Sequence, residues 1–434
     1  MKLGMISLGC AKNLIDTELF LGVAKKYDLE ITNNINDADI IVINTCGFIE
    51  SAKKEAIDTI LDATMINKKK TVIAMGCLVE RYLNDLKESI PEVDFYFPIK
   101  DYDNIDNLFN KILNKKATHK MDYENRVLTT LPHSAYLRIS EGCDNRCSYC
   151  AIPLIRGNFK SRPFDSLINE AKALIKKGVK EITLIGQDTT RYGTDLKENK
   201  YLEDLLHEIS LLDGVEIVRV LYLYPDEITD NVIMEIKNNP KVAKYFDIPI
   251  QHASNKMLKA MNRRGSKEFL SSLINNIRNN IPDAIIRTTL IVGFPGETDD
   301  DFNELYNFVK EAKFNRLGVF TYSDEEDTKG FDMYPKIEQD IMDERHDKIM
   351  ELQSDLSLNL NKAQIGKSYK AIVDTYDYNK QAYVVRNYAY APDDVDGCIY
   401  INSPYTSNIK PGDIIEIEII DGNEYDLIAT KKCL

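Results

Sequence analysis

"ISEGCDNRCSYCAIPLIRG", residues 139–157, sets Cys143, Cys147 and Cys150 in C-x3-C-x2-C spacing, after a strand-like run and ahead of proline, arginine and glycine. On a helix this spacing would line one face as a buried stripe. Gly142, Asp144, Asn145 and Ser148 favour a turn instead, and Pro153 blocks continuation of a helix. A closed metal site usually takes four ligands, so three thiolates leave one coordination position open for chemistry. The rival reading is a zinc site completed from elsewhere in the chain. None of the five histidines falls within a few residues of the loop or in zinc-finger spacing.

Outward from this loop, the chain from about residue 135 repeats one pattern. The runs "AYLRIS", "EITLIGQ", "VEIVRVLYLY", "YFDIPI", "AIIRTTLIVG" and "RLGVFTY" are separated by segments of helical length such as "FDSLINEAKALIKKG" and "KEFLSSLINNIRNN". Six successive strand–helix units predict an open or partial (βα)6 barrel, whose active site lies at the strand ends. The three-cysteine loop follows the first of these strands, where such a barrel keeps its chemistry.

Upstream, residues 1 to about 120 alternate β-like runs with helical patterns: "LGMISLG" then "LIDTELFLGVAKKY", "DIIVINT" then "ESAKKEAIDTILDAT", "TVIAMG" then "VERYLNDLKESI". The alternation predicts an open parallel-sheet α/β domain. Cys10, Cys46 and Cys77 each follow one of these strands. Ligands in such sheets sit at the carboxyl ends of the strands, so the three should converge on one edge. One buried cysteine would read as a small hydrophobe. Three in equivalent positions, each beside a glycine (Gly9, Gly47, Gly76), read as a second ligand set, the glycines allowing a cofactor close to the backbone.

Downstream, a polar, helix-patterned connector at about 338–364 leads into short alternating runs: "YKAIVDTY", "QAYVVRN", "CIYINS", "DIIEIEII" and, after the turn "DGN", "YDLIAT". These predict a small closed β-barrel of OB type. Residues 363–434 hold seven Lys plus Arg against eleven Asp plus Glu, a net of −4. Cys398 and Cys433 lie in this tail, away from both trios, and are expected to bind no cluster. The run "NKKK" at 67–70 reads as a solvated loop.

The whole chain, 434 residues with 44% hydrophobic content, is long enough for about three domains. It has no run of about twenty apolar residues, so no membrane helix is expected. The opening "MKLGMISLGC" has too short an apolar stretch for a lipoprotein signal, with Ser7 where such signals want leucine, and a cytoplasmic protein is expected. The net charge of −14 argues against general affinity for nucleic acid or an anionic membrane and favours a basic partner. Eight cysteines in such a chain read as metal ligands or redox groups rather than a disulfide framework.

The C-x3-C-x2-C loop in a partial barrel resembles the signature of the radical S-adenosylmethionine (SAM) superfamily. The resemblance implies that Cys143, Cys147 and Cys150 hold a [4Fe-4S] cluster whose fourth iron is chelated by SAM, which would account for the open position. Reductive cleavage of SAM then gives a 5′-deoxyadenosyl radical able to abstract hydrogen from an unactivated carbon, while the protein positions and shields the cofactor. By the same resemblance Tyr149 packs the adenine and Gly293, in "LIVGFPGET" at 290–298, lines the SAM pocket. A plain packing tyrosine and an ordinary turn are the simpler accounts of the two. Gln187 and Gln251, at strand ends facing the same site, are expected to contact SAM or substrate, and His252 to be a structural hydrogen-bonding residue.

Two cysteine trios, an N-terminal α/β domain, a radical SAM barrel and a terminal β-barrel together resemble the methylthiotransferase family over essentially the whole chain. The resemblance implies a methylthiotransferase domain at 1–130 with an auxiliary [4Fe-4S] cluster on Cys10, Cys46 and Cys77, a radical SAM core at 131–365 and a TRAM-like β-barrel at 366–434. It implies net replacement of an unactivated C–H by C–S–CH3, one SAM supplying the methyl group and another the radical, with no side chain assigned a catalytic role. One branch of the family modifies an adenosine of transfer RNA; the other modifies the β-carbon of an aspartate in small-subunit ribosomal protein twelve. "ISLGCAKNLIDTE", "LYLYPDEI", "DIPIQHAS" and "APDDVDG" resemble the protein-modifying branch, with Ala11 standing where many members have proline. Charge points the same way independently: an acidic terminal barrel repels a phosphate backbone, so transfer RNA is not the expected partner, and attracts a basic ribosomal protein. An electron donor such as flavodoxin or ferredoxin and a sulfur donor are further implied partners, and no membrane is. From a different class, a zinc-containing binding protein with structural cysteines would lack iron and acid-labile sulfide.

Overall fold

The computed structural model describes residues 1–66, 69–392, 396–406 and 408–432; Cys433, part of "NKKK" and part of "APDDVDG" lie outside the described residues. The N-terminal body is a five-stranded parallel sheet in the order Glu30–Thr32, Lys2–Ser7, Ile40–Thr45, Thr71–Gly76, Phe95–Phe97. Its three central strands are those legible in the sequence. The two edge strands have three residues each, too few to display a period. Ile40–Thr45 is buried at every position, as a central parallel strand covered on both faces must be. Val42 joins Phe20 and Phe109 on one face, while Ile41 and Ile43 join Ile60 and Leu78 on the other.

The middle body carries six parallel strands in chain order: Ser134–Arg138, Glu181–Ile185 and Ile217–Val220, then Tyr245–Asp247, Ile285–Val292 and Arg316–Thr321. A parallel bridge between Val218 and Val242 joins the two halves, and among the described residues the first and last strands are not paired. This is the open six-unit barrel expected. Alternate strand residues divide between two cores. Leu137, Ile182, Val218 and Phe246 pack under the barrel's own helices. Tyr136, Ile185 and Tyr245, pointing the other way, pack on Ile15 and Leu19 of the N-terminal helix Ala11–Lys26. That helix is buried on nearly every side, because its Phe20, Val23 and Ala24 belong to the N-terminal core.

The connector is the helix Gln339–Lys362. Beyond it, Ser368–Asp377, Ala382–Arg386, Ile399–Asn402, Leu427–Lys431 and Ile414–Gly422 close a five-stranded barrel in that order. It docks through buried polar contacts. Asp374 lies 2.8 Å from His133 Nε2, Arg386 is 2.7 Å from Glu181, and Arg219 donates to the carbonyls of Tyr388 and Tyr390 at 2.8 and 2.9 Å.

Candidate functional site

The sheet register brings the first trio together. Ser7 pairs with Asn44 and Thr45 with Gly76, so Cys46 and Cys77 each follow a paired residue at one edge, and Cys10 arrives beside them through Gly9. At Gly9, with φ +93°, a Cβ would stand 3.0 Å from Cys46 Cβ and 3.3 Å from its sulfur. At Gly47 it would stand 2.7 Å from Leu78 Cα. The sequence reading gives these glycines to cofactor approach; what their missing side chains admit is neighbouring protein, which draws the cysteine segments together. Asn13, one turn along the helix from Cys10, ties the set. Its Oδ1 lies 3.4 Å from Cys77 Sγ and 4.0 Å from Cys10 Sγ, and its Nδ2 donates to the carbonyls of Leu8 and Thr45 at 3.2 and 2.9 Å. Burial pushes the Cys46 thiol up to about 11, and the nearby Cys77 and Cys10 add to the rise. Burial also raises Cys77, against the pull of Arg156. Crowded thiols that resist ionising alone ionise together against a multiply charged metal centre, so the donor set fits an iron–sulfur cluster.

The second trio stands on the loop after Ser134–Arg138. Gly142 has φ +72°, and a Cβ there would meet Asn158 O at 2.1 Å, so only glycine lets the pair Ser140–Glu141 and Lys160–Ser161 close beneath the loop. The loop is pinned by Cys143 N to Gly157 O at 3.1 Å, Ser148 N to Met261 O at 2.9 Å and Asn145 Nδ2 to Asp188 at 2.7 Å. Burial, with Asp188 and Cys147 adding, pushes the Cys143 thiol up to about 11; burial and Cys147 raise Cys150 further. Cys147 Sγ lies 3.8 Å from both Tyr224 Oη and Arg263 Nη1. This donor set fits a cluster for the same reason as the first.

One arginine joins the trios. Arg156 ends the short helix Ile152–Arg156 that follows Cys150. Its Nη2 reaches Asp16 Oδ2 at 2.8 Å, Asn13 Oδ1 at 3.0 Å and Cys77 Sγ at 3.5 Å, all in the N-terminal body. Its Nη1 stands 3.4 Å from Glu141 Oε2. Arg138 spans the same two carboxylates, at 2.6 Å from Asp16 and 3.0 Å from Glu141.

Beside the loop lies a cavity of about 680 Å³. Tyr149, Gln251, Gly293 and Tyr322 line it from the barrel, and Phe48, Ile49, Glu50 and Ser51 from the N-terminal body. A more open groove of about 970 Å³, along Asp230, Lys267, Phe269 and Asn276, lies among the outer helices away from both trios. Gln251 holds φ +70° between Thr289 and Ile291, a left-handed backbone that costs a non-glycine residue about 1–3 kcal/mol. Gly293 has φ +77°, and a Cβ there would overlap Met342 at 2.1 Å. Its N–H is held by the Glu297 carboxylate, which also meets Arg345 at 3.2 Å and His252 Nε2 at 3.3 Å. His252 Nδ1 accepts from the backbone N–H groups of Ala253 and Ser254, both at 3.0 Å, so Nε2 carries the proton given to Glu297. His252 is structural. Gln187 is not in the cavity wall; its Nε2 donates to Glu141 Oε1 at 2.9 Å and so supports the Arg138–Arg156 network.

Comparison with known proteins agrees with this architecture. The chain matches the Radical SAM superfamily over residues 137–309, the Uncharacterized protein family UPF0004 over 2–98 and the TRAM domain over 365–431. A ribosomal protein uS12 methylthiotransferase RimO from Clostridium novyi (strain NT) is 48% identical over 438 residues, covering 99% of this chain and 97% of that one. One of the same description from Acetivibrio thermocellus is 45% identical, covering 99% and 98%. The chain belongs to the RimO family of radical SAM methylthiotransferases. Among solved structures, the radical SAM methyltransferase TsrM from Kitasatospora setae, with tryptophan and a SAM analogue, superposes with a TM-score of 0.55 at 11% identity, over 73% of this chain and 72% of that one. The cobalamin-dependent SAM radical enzyme OxsB gives 0.52 at 12%, over 81% and 56%. Both share the fold.

Like its family, this RimO-type chain works with SAM and [4Fe-4S] clusters. Among its described residues no helix is long and apolar enough to cross a membrane. The sequence reading missed Asn13 and Arg156. Asn13 carries a faint signal, a polar residue one helical turn from Cys10; Arg156, six residues past Cys150, meets its partners only through the fold.

Proposed function

We propose that this protein inserts a methylthio group at the β-carbon of an aspartate in small-subunit ribosomal protein uS12. The observation that carries the reading is the pairing of two cysteine trios through one buried arginine beside one cavity, in a chain of this family. Cys143, Cys147 and Cys150 would hold the cluster that binds SAM, and Cys10, Cys46 and Cys77 the auxiliary cluster. When bound, these groups supply the radical, the sulfur and the methyl donor.

The chain's own residues position and enclose. Tyr149 offers an aromatic wall, and Gly293 brings bare backbone to the cavity where any side chain would collide with Met342. Phe48 and Ile49 close the opposite side and keep water from the radical. The acidic terminal barrel draws a basic ribosomal protein and disfavours transfer RNA. The division into residues 1–130, 131–365 and 366–434, a cytoplasmic setting, a flavodoxin- or ferredoxin-like reductant and a separate sulfur donor belong to the same reading.

The test is mass spectrometry of uS12 after anaerobic incubation with reconstituted enzyme, SAM, sulfide and a reductant. One methylthio group on an aspartate is the expected result. No change in uS12, with methylthio-adenosine formed in a parallel transfer-RNA assay, would overturn the substrate while keeping the chemistry.

A further inference from the structure

Arg156 belongs by sequence to the radical loop and by contact to the other trio. Its guanidinium is fully buried between Asp16 and Glu141, each also held by Arg138, so two arginines and two carboxylates fix it in place. From there Nη2 is directed at Cys77 Sγ, 3.5 Å away, and at Asn13 Oδ1, 3.0 Å away, which itself touches Cys77 and Cys10. A planar, always-charged fork meets Asp16, Asn13 and Cys77 with one nitrogen while its other stands by Glu141, a span that a lysine's single ammonium does not cover. Hydrogen bonds to the ligand sulfurs and nearby charge are what set the potential of an iron–sulfur cluster.

We propose that Arg156 is a positioning residue for the auxiliary cluster: it presses positive charge on the Cys77 sulfur and thereby favours the reduced, more negative state. The inference rests on the reading of Cys10, Cys46 and Cys77 as cluster ligands. The helix bearing Arg156 starts two residues after Cys150, so the charge set beside the Cys77 sulfur is carried by the radical loop's own segment.

The test uses the full chain with Cys143→Ala, Cys147→Ala and Cys150→Ala, so that only the N-terminal cluster forms. Iron and sulfide contents are measured, and the cluster is titrated by spectroscopically monitored potentiometry with Arg156 intact and as Arg156→Met, Arg156→Gln and Arg156→Lys. At the parent's midpoint, the ratio of reduced to oxidised cluster should fall about tenfold in the Met and Gln variants, a shift of about 59 mV to more negative potential for a one-electron couple. Arg156→Lys, which keeps the charge on a looser stem, should fall between. An iron-loaded Met or Gln variant with the parent's midpoint, or a Lys variant shifted as far as those two, overturns the proposal. A parent that binds no iron overturns the reading of the trio itself, a separate result.

Discussion

Arg81 Nη1 of the N-terminal body lies 2.6 Å from Glu325 Oε2, a buried carboxylate in the loop after the last barrel strand. Lys53 Nζ approaches the same oxygen at 3.1 Å, and Ser323, beside it, accepts from Glu50 N at 3.3 Å. Glu50, Ser323 and Glu325 all stand in the cavity wall, so this contact joins the two bodies there.

Glu325→Gln should therefore be costly, because it leaves two half-buried cations facing a neutral amide, Lys53 keeping only the exposed Glu50 at 2.7 Å. Breaking a buried pair from one side costs about 3–5 kcal/mol. The expected outcome is a lower urea midpoint with little change in slope. Replacing all three charges together, with Arg81→Met, Lys53→Met and Glu325→Leu, should recover most of the loss.

Gly293→Ala should fail for two reasons at once. The new Cβ falls 2.1 Å from Met342 Cγ, and φ +77° strains any residue that carries a Cβ. Equilibrium dialysis should show SAM binding weakened at least tenfold, and a melting curve should show a destabilised fold. Met342→Ala in the same chain should restore part of the stability and less of the binding, since the strained backbone remains.

The two trios should be separable by assay. Cys143→Ala is expected to abolish formation of 5′-deoxyadenosine from SAM. Cys46→Ala should retain some SAM cleavage while losing methylthio transfer. Each should keep about half of the wild-type iron. Equal loss of both activities in a folded Cys46→Ala protein would contradict this division.

The docking of the terminal barrel should weaken in acid. Burial alone would raise the Asp374 carboxyl, but the hydrogen bond from His133 and the Arg386 guanidinium outweigh it and hold the group below its ordinary value. A carboxyl depressed in the folded state contributes fully above the unfolded value of about 3.9 and loses its contribution as pH falls toward the folded one. The guanidinium-chloride midpoint of the apoprotein should drop between pH 5 and pH 3. In Asp374→Asn it should start lower and drop less.

Strand ends were legible in the sequence because the alternation of strand and helix is a local pattern. Once a parallel sheet is drawn, its register carries Cys46 and Cys77 to one edge, with Cys10 beside them. The cysteine loop was legible because glycine and proline forbid the helix that its spacing would otherwise suit. Asn13, Arg156 and Glu325 were not. Periodicity says which face of an element is buried but not against what, and the contacts of Asn13 with Cys77, Arg156 with Cys77 and Glu325 with Arg81 span 64, 79 and 244 positions of chain. Gln187 shows the converse: a strand end places a side chain near the site, and the carboxylate that captures it, Glu141, was not visible from its own segment.

The helix Ala11–Lys26 covers one face of the barrel strands with Ile15 and Leu19. A fragment cut before Ser134 would present Tyr136, Ile185 and Tyr245 to water, with Ile15 and Leu19 gone. Such a piece should aggregate rather than fold, although its strand count is complete. The cysteine-bearing front module and the barrel are thus two names for one cooperative unit. A graft that exchanges either between relatives has to carry the matching face of the other.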